Sequence, residues 1–511
     1  MVRLFVQRNI ERMWFLVPGG LAFAVYASTL APGVVGFDSA ELVTGAYTLG
    51  IVHPTGYPLY LILAKLFSMI PVGSIAFRVN LFSAVCAAVA VTLLSIMIFQ
   101  LTGRRWAALF AGGVFAFLIS FWQMAVVAEV YTLHLLFMTL EMVLLLQWHR
   151  TGRMRWLDLF VLVYALSLTN HVSGVLFAPA FGWFVLRGIE WKQLVRRLPL
   201  YLFLGLVGMS PYLYLPLRQM AQPRLDYVSS YYNIDMGTLS GLWWMISGQA
   251  YHFFAFNYDL AGYLREVAQF GQLLVRNVTV VGILFGLMGW WQAVRERSPF
   301  RLVLPLLFIS YLGFYIGYGV VDKATMFLPA HLVWVIWMTF GVQAMYDWAL
   351  THLQAMPEPL PARLFKVGMR MGAAAFVAAF MMLNWTWADM SEAYGPEIFA
   401  EQVLVTIDEE AFIMGEWSSA VILEYYQTVE GMRPDVEIFN RSRFQVAQYY
   451  VLLNESMTPA QAAETVYAFE EVWISSVAAD RPVYSVEYDP RLASSYEYQP
   501  VGNVFQLIPR N

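Results

Sequence analysis

A succession of apolar segments, each close to bilayer-crossing length and separated by short arginine-rich loops, constrains this chain more than any other feature. The segments fall near residues 14–31, 79–101, 107–122, 128–148, 156–172, 174–188, 198–217, 276–292, 301–320, 328–349 and 371–388. A helix satisfies its backbone hydrogen bonds internally, as lipid requires, and roughly 20 apolar residues cover the hydrocarbon core. Hydrophobic residues make up 59% of the chain and charged residues 13%, against roughly a quarter charged in soluble domains. That is too little polar surface for a soluble protein of this length. The sequence predicts a polytopic α-helical membrane protein.

Loop charge sets the topology. Arg104/Arg105, Arg150/Arg153/Arg155, Lys192/Arg196/Arg197, Arg295/Arg297/Arg301 and Arg363/Lys366/Arg370 belong on the cytoplasmic side, with Arg3, Arg8 and Arg12. They can all lie there only if the apolar stretch 57–71 does not cross, so it is expected to be a re-entrant or interfacial helix. The result is about eleven spans within residues 1–388, the N-terminus inside. The first outer loop covers 32–78 and a second about 219–275. The N-terminal segment, without a small-residue cleavage site, reads as an uncleaved first span. The single cysteine, Cys86, allows no intramolecular disulfide. From Asp389 the patterning turns soluble, and residues 389–511 are expected to form a small extracytoplasmic α/β domain. Its strands are read at 403–407, 411–414, 436–439 and 482–486, with helices at 418–430 and 459–469.

Polar residues then test that topology. Asp38, Glu41 and His53 lie in the first outer loop; Glu129, Tyr131 and His134 open a span at its outer end. Asn170 and His171 close one there, as do Tyr212, Tyr214 and Arg218, and Asp322 and Lys323 occupy a short outer loop. The basic loops alone fixed the topology, so this clustering on one face is independent support for an outward-facing site. Ionisable residues at a membrane face are functional candidates by default. Each also has a structural reading: Glu129 as a helix N-terminal acid, His134 as a core histidine, Arg218 as a snorkelling anchor, Lys323 as the partner of Asp322.

Phe37-Asp38-Ser39-Ala40-Glu41-Leu42 with His53-Pro54-Thr55-Gly56-Tyr57-Pro58-Leu59-Tyr60 resembles one family. These motifs are similar to bacterial relatives of the eukaryotic transmembrane protein O-mannosyltransferase that modifies IPT domains. The similarity continues through Ala128-Glu129-Val130-Tyr131, Leu168-Thr169-Asn170-His171, residues 211–218, Asp322-Lys323, Gly415-Glu416-Trp417 and residues 429–436. The tail carries Glu416 where the family pattern suggests an aspartate. The resemblance implies a GT-C glycosyltransferase in a bacterial plasma membrane, its site at the outer face, using sugar carried on a polyprenyl phosphate. The acceptor it implies is a protein Ser/Thr hydroxyl, and mannose is implied only through the eukaryotic relative.

Under that resemblance Asp38 is the expected general base of an inverting transfer, with Glu41 as its understudy. Arg218, Lys323, His53, Arg78 and His171 are the expected groups for the donor phosphate. Glu129, Tyr131, His134, Asn170, Tyr212, Tyr214 and Asp322 are assigned to sugar or acceptor. No metal or other cofactor is expected: paired histidines at ligand spacing and a phosphate-cradling glycine loop are both missing, although Asp38 with Glu41 could hold a hydrated divalent ion. Nothing points to nucleic acid. The competing reading is a transporter or flippase of lipid-linked sugar, which would favour repeat symmetry and midplane polar groups. A glycosyltransferase acting on a lipid or glycan acceptor is the alternative within the same class.

Overall fold

The structure, a computed structural model, describes residues 13–320, 323–355 and 360–510. All eleven apolar segments are helical or mainly helical. Among the described residues, six helices are long and apolar enough to cross a bilayer: Ile75–Thr102, Tyr131–Thr151, Trp191–Met220, Leu260–Arg295, Thr325–Gln354 and Pro361–Ala388. The pair Arg105–Ala116 and Ile119–Ala125, bent by 69°, makes a possible seventh. The count of eleven spans therefore rests in part on short helices: Leu16–Ser28, Val172–Gly188 and Val303–Ile316, together with the 15-residue Met154–Leu168. The stretch read as re-entrant forms the 11-residue helix Pro58–Ser68. At 1.5 Å per residue it is too short to cross alone. The basic residues Arg3, Arg8 and Arg12 lie outside the described residues.

The long helices pack through glycine. A Cβ on Gly289 would meet the Trp337 carbonyl at 1.7 Å, and one on Gly341 the Phe285 carbonyl at 2.0 Å. The Leu260–Arg295 and Leu328–Gln354 helices thus touch backbone to backbone, as small residues permit in membranes.

The second outer loop runs into a long helix. Leu260–Arg295 spans 36 residues with a kink at Thr279, where φ is +64°, and is capped by Asp259, whose Oδ1 accepts from Gly262 N at 2.7 Å. Residues 260–275 are therefore helix, and the loop before them holds two short helices, Tyr227–Tyr231 and Leu239–Ser247.

Beyond Ala388 lies a five-stranded sheet with strands β1 (Phe412–Gly415), β2 (Glu437–Asn440), β3 (Val483–Ser485), β4 (Tyr496–Val501) and β5 (Val504–Pro509), in the order β2-β1-β3-β5-β4. The first three pair in parallel and the last two form an antiparallel hairpin. Helices Trp417–Thr428, Arg441–Asn454 and Pro459–Ala478 accompany the sheet. One expectation is corrected. Residues 403–407 are not a strand: 403–406 end the helix Gly395–Thr406. Its β-branched residues suggest a strand, but Pro396 and Glu397 favour a helix start, and Ala400, Val403 and Leu404 bury one helical face.

Candidate active site

The site grows from the turn structure around one short helix. Phe37 holds φ at +61°, a conformation rare for a bulky residue, immediately before the helix Asp38–Thr48 begins. Such backbone persists only where its surroundings fix it. Asp38 and Glu41 both fall in the first turn, at the positive end of the helix dipole. At the other end, Arg218 caps the helix. Its Nε donates to the Leu49 carbonyl at 2.6 Å and its Nη2 to that of Thr48 at 3.4 Å. The Tyr214 hydroxyl donates to the Gly50 carbonyl at 2.7 Å.

Past the helix, Ile51 joins the second outer loop: its N–H donates to Leu225 O at 2.7 Å and its carbonyl accepts from Tyr227 N at 2.9 Å. Tyr227 is thereby fixed beside the first loop. A turn closed by Gly56 N donating to His53 O at 2.9 Å then returns His53 toward the helix. Gly56 has φ +81°, and a Cβ there would come within 2.9 Å of Leu215 and Met245. Only glycine fits that turn without displacement.

His53 is the hub. Its Nδ1 lies 2.5 Å from Glu41 Oε2, and its backbone N–H donates to Glu41 Oε1 at 3.2 Å. Its Nε2 lies 3.0 Å from the Tyr57 hydroxyl and 3.7 Å from Asp38 Oδ2. Glu41 is sealed, its side chain 0% exposed, whereas Asp38 keeps 24% of its side chain accessible. Burial alone would raise the Glu41 pKa. The charge and hydrogen bond of His53, together with the Arg443 guanidinium, outweigh that and hold it below the ordinary value.

Arg443 comes from the soluble tail. Its Nη2 reaches Glu41 Oε1 at 3.4 Å and its Nη1 pairs with Glu424 Oε1 at 2.8 Å. The guanidinium lies over the rings of Trp417 at 5.0 Å and Tyr227 at 5.4 Å. Trp417 also meets the His53 ring edge-on, with centroids 5.7 Å apart. The approach is close: a Cβ on Gly36 would fall 2.0 Å from Ser418 Oγ.

The other predicted residues divide into two groups. Tyr57 stacks on His171 at 5.7 Å, and Tyr131 contacts the same imidazole at 5.6 Å. Glu129 and Tyr131 act electrostatically on the Tyr57 hydroxyl, as do Asp38 and Glu41. These residues share the site with His53. His134 sits deeper, bonded through Nε2 to the Tyr311 hydroxyl at 2.6 Å and stacked on Phe177. Ser173 Oγ connects it to His171, lying 3.4 Å from His134 Nε2 and 2.7 Å from His171 Nδ1.

The second group braces backbone. Asn170 Nδ2 donates to Val130 O at 3.3 Å, and the Tyr212 hydroxyl to Leu168 O at 2.8 Å. Arg78, expected on a donor phosphate, instead donates to the carbonyls of Val72, Ser68 and Gly73 at 2.9–3.0 Å. Arg218 is likewise engaged as the helix cap. Lys323 pairs with Glu266 and also donates to Tyr318 O at 3.0 Å. Asp322 lies outside the described residues.

Asp38, Glu41 and His53 each offer one ligand atom within 4.8 Å of the other two, spacing that a divalent ion could use. Both imidazole nitrogens already face partners, Nδ1 toward Glu41 and Nε2 toward Tyr57, so ligation would require an exchange.

Sequence reasoning missed Tyr57, Tyr227, Trp417, Glu424 and Arg443 as site residues. Tyr57 and Trp417 stand inside motifs that were recognised, yet nothing there assigns them a role. Tyr227 depends on the bridge through Ile51, and Arg443 on how the tail docks.

The family model of the protein O-mannosyl-transferase TMEM260 N-terminal domain matches residues 38–194. The protein O-mannosyl-transferase TMEM260 of Mus musculus is 28% identical over 444 residues, covering 83% of this chain and 62% of that protein. Its counterpart in Dictyostelium discoideum is 21% identical, covering 81% and 55%. The chain thus spans less than two thirds of the length of either relative. The crystal structure of ArnT from Cupriavidus metallidurans bound to undecaprenyl phosphate superposes with a TM-score of 0.60 at 13% identity, covering 97% of both chains. The chain is a multi-pass membrane protein with the fold of ArnT, and it is similar to the TMEM260 protein O-mannosyl-transferases over most of its length.

Proposed function

We propose that this protein is a membrane glycosyltransferase. It moves a sugar, mannose by analogy with its relatives, from a polyprenyl-phosphate donor to a protein Ser/Thr hydroxyl at the outer membrane face. The observation that carries this reading is the division of labour between two neighbouring carboxylates. Glu41 is sealed against His53 and Arg443, while Asp38, 3.7 Å from the same imidazole, stays accessible. An accessible carboxylate oriented by a buried pair suits a general base.

In the step proposed, the acceptor oxygen attacks the anomeric carbon from the face opposite the phosphate, and its proton passes to Asp38 Oδ2. The bond from the anomeric carbon to the phosphate oxygen breaks, and the polyprenyl phosphate leaves with the electron pair, inverting the configuration. His53 and the Tyr57 hydroxyl, 3.0 Å apart, are assigned here to the charge developing on the phosphate. Glu129, Tyr131 and His171 are assigned here to the sugar. The relatives' names support the acceptor, and the ArnT structure with undecaprenyl phosphate supports the donor class. The residues assigned here act without a metal, and the tail lies outside the membrane.

The test is transfer by purified protein offered a panel of labelled polyprenyl-phosphate monosaccharides with Ser/Thr-containing acceptor polypeptides. Label fixed to protein, from one donor above the others, supports the reading. Label fixed only to lipid or glycan moves the acceptor class. Lipid-linked sugar crossing vesicle membranes with no transfer to any acceptor would replace the enzyme by a flippase.

A further inference from the structure

Arg443 occupies a position that a tail serving only as a packing domain does not explain. Its guanidinium is almost completely buried, with 3% of the side chain exposed. It belongs to the helix Arg441–Asn454, 402 residues from the carboxylate it touches. Burying a charge is costly unless it is paired. Here the pairing is double: Glu424 within the tail at 2.8 Å, and Glu41 in the first outer loop at 3.4 Å. The rings of Trp417 and Tyr227 flank the same group, one from the tail and one from the second outer loop. Three separate stretches of chain therefore converge on one cation, and that cation touches the buried carboxylate that anchors His53.

We propose that Arg443 is a positioning residue of the active site, holding Glu41 so that its carboxylate orients His53 toward Asp38, and that the docked tail completes this constellation. The inference rests on the transferase reading above. The neighbouring Arg441 provides a contrast. It is equally buried, but its partners Glu470, Asp489 and Glu416 all lie within the tail, so its role is confined to tail folding. Arg443 alone of the two reaches into the loop that carries Asp38.

A double-mutant cycle on transfer separates positioning from structural support. Arg443→Met and Glu41→Gln are each expected to lower kcat by roughly 10- to 100-fold, within the span of about 2- to 150-fold that coupling in one buried network covers. KM for donor and acceptor should change far less. If Arg443 acts through Glu41, the double variant is about as slow as the slower single variant. Arg443→Lys, which keeps the charge but not the fork, should recover part of the loss. Arg443→Met leaves the buried Glu41 carboxylate with His53 but without its guanidinium partner, so its melting temperature in detergent serves as a second readout. The double variant should melt higher than Arg443→Met because the under-compensated buried charge at Glu41 is gone.

Multiplicative losses in kcat, with no recovery of melting temperature in the double variant, would overturn the positioning role. Wild-type protein that transfers no label would instead defeat the transferase reading. The melting cycle would still report whether Arg443 and Glu41 are coupled.

Discussion

His53 bridges three acidic or phenolic groups, and its two ring nitrogens can be tested separately. Asparagine places a donor near the position of Nδ1, and glutamine places one near Nε2. The Nδ1 contact to Glu41 is 2.5 Å and buried; the Nε2 side faces Tyr57 at 3.0 Å and Asp38 at 3.7 Å. A hydrogen bond to a charged group contributes about 1.5–3 kcal/mol. If the transition state feels all of it, losing one such bond slows transfer by about 10- to 150-fold. His53→Ala loses both sides and keeps only the backbone N–H on Glu41 Oε1. It should fall at or beyond the upper end of that range. His53→Asn retains the anchor on Glu41 and should stay as stable as wild type while losing rate. His53→Gln retains a donor toward Asp38 but loosens Glu41, so it should lose stability as well as rate. The assay is initial-rate transfer from a labelled donor, run beside thermal unfolding in detergent for each variant. A His53→Ala protein within twofold of wild-type kcat would refute the reasoning, because the hub would then orient nothing that the reaction uses.

Arg218 tests whether a cation at the outer end of a span binds phosphate or braces the fold. Arg218→Met removes the donors to Leu49 and Thr48. It should cost about 1–3 kcal/mol of stability with donor KM nearly unchanged; a tenfold rise in donor KM without loss of stability would return Arg218 to the phosphate. The tail supplies a pH prediction. Burial would raise the Asp489 pKa, but hydrogen bonds from Arg491 and Arg441 outweigh it and hold the carboxyl below its ordinary value. A group depressed in the folded state stabilises fully above its unfolded pKa of about 3.9, and that contribution is lost as pH falls toward the folded value. Unfolding midpoints should therefore drop from pH 5 to pH 3, and Asp489→Asn should flatten the slope while lowering stability at pH 7. An unchanged slope would remove Asp489 from the acid response.

Most of the fold was legible because lipid leaves few choices: eleven apolar stretches became helices, and three strands of the tail fell where alternation placed them. Val403 to Thr406 misled, since β-branched residues can also bury one face of a helix when the cap precedes them. The hairpin of β4 and β5 and the helix Arg441–Asn454 were not anticipated. Within the site, Asp38, Glu41 and His53 could be found because carboxylates and an imidazole following a spanning run demand an explanation. The family resemblance put Asp38 ahead of Glu41, but which of the two is sealed could not be read. Which carboxylate is sealed depends on Arg443, and an arginine in a polar helix of the tail reads as solvated. Arg78, Arg218 and Lys323 show the reverse limit: position placed them at the outer face, but only geometry shows that backbone carbonyls and Glu266 already hold them.

The central claim is that Asp38, and not the buried Glu41, takes the acceptor proton. The most direct measurement is transfer by Asp38→Asn beside wild type, with unfolding temperature and donor binding recorded for both. The account predicts loss of transfer by at least about 100-fold, with donor bound and the fold intact, because Asp38 is partly exposed and its neighbours Glu41 and Arg443 remain paired. A folded Asp38→Asn protein that transfers sugar at the wild-type rate would contradict it.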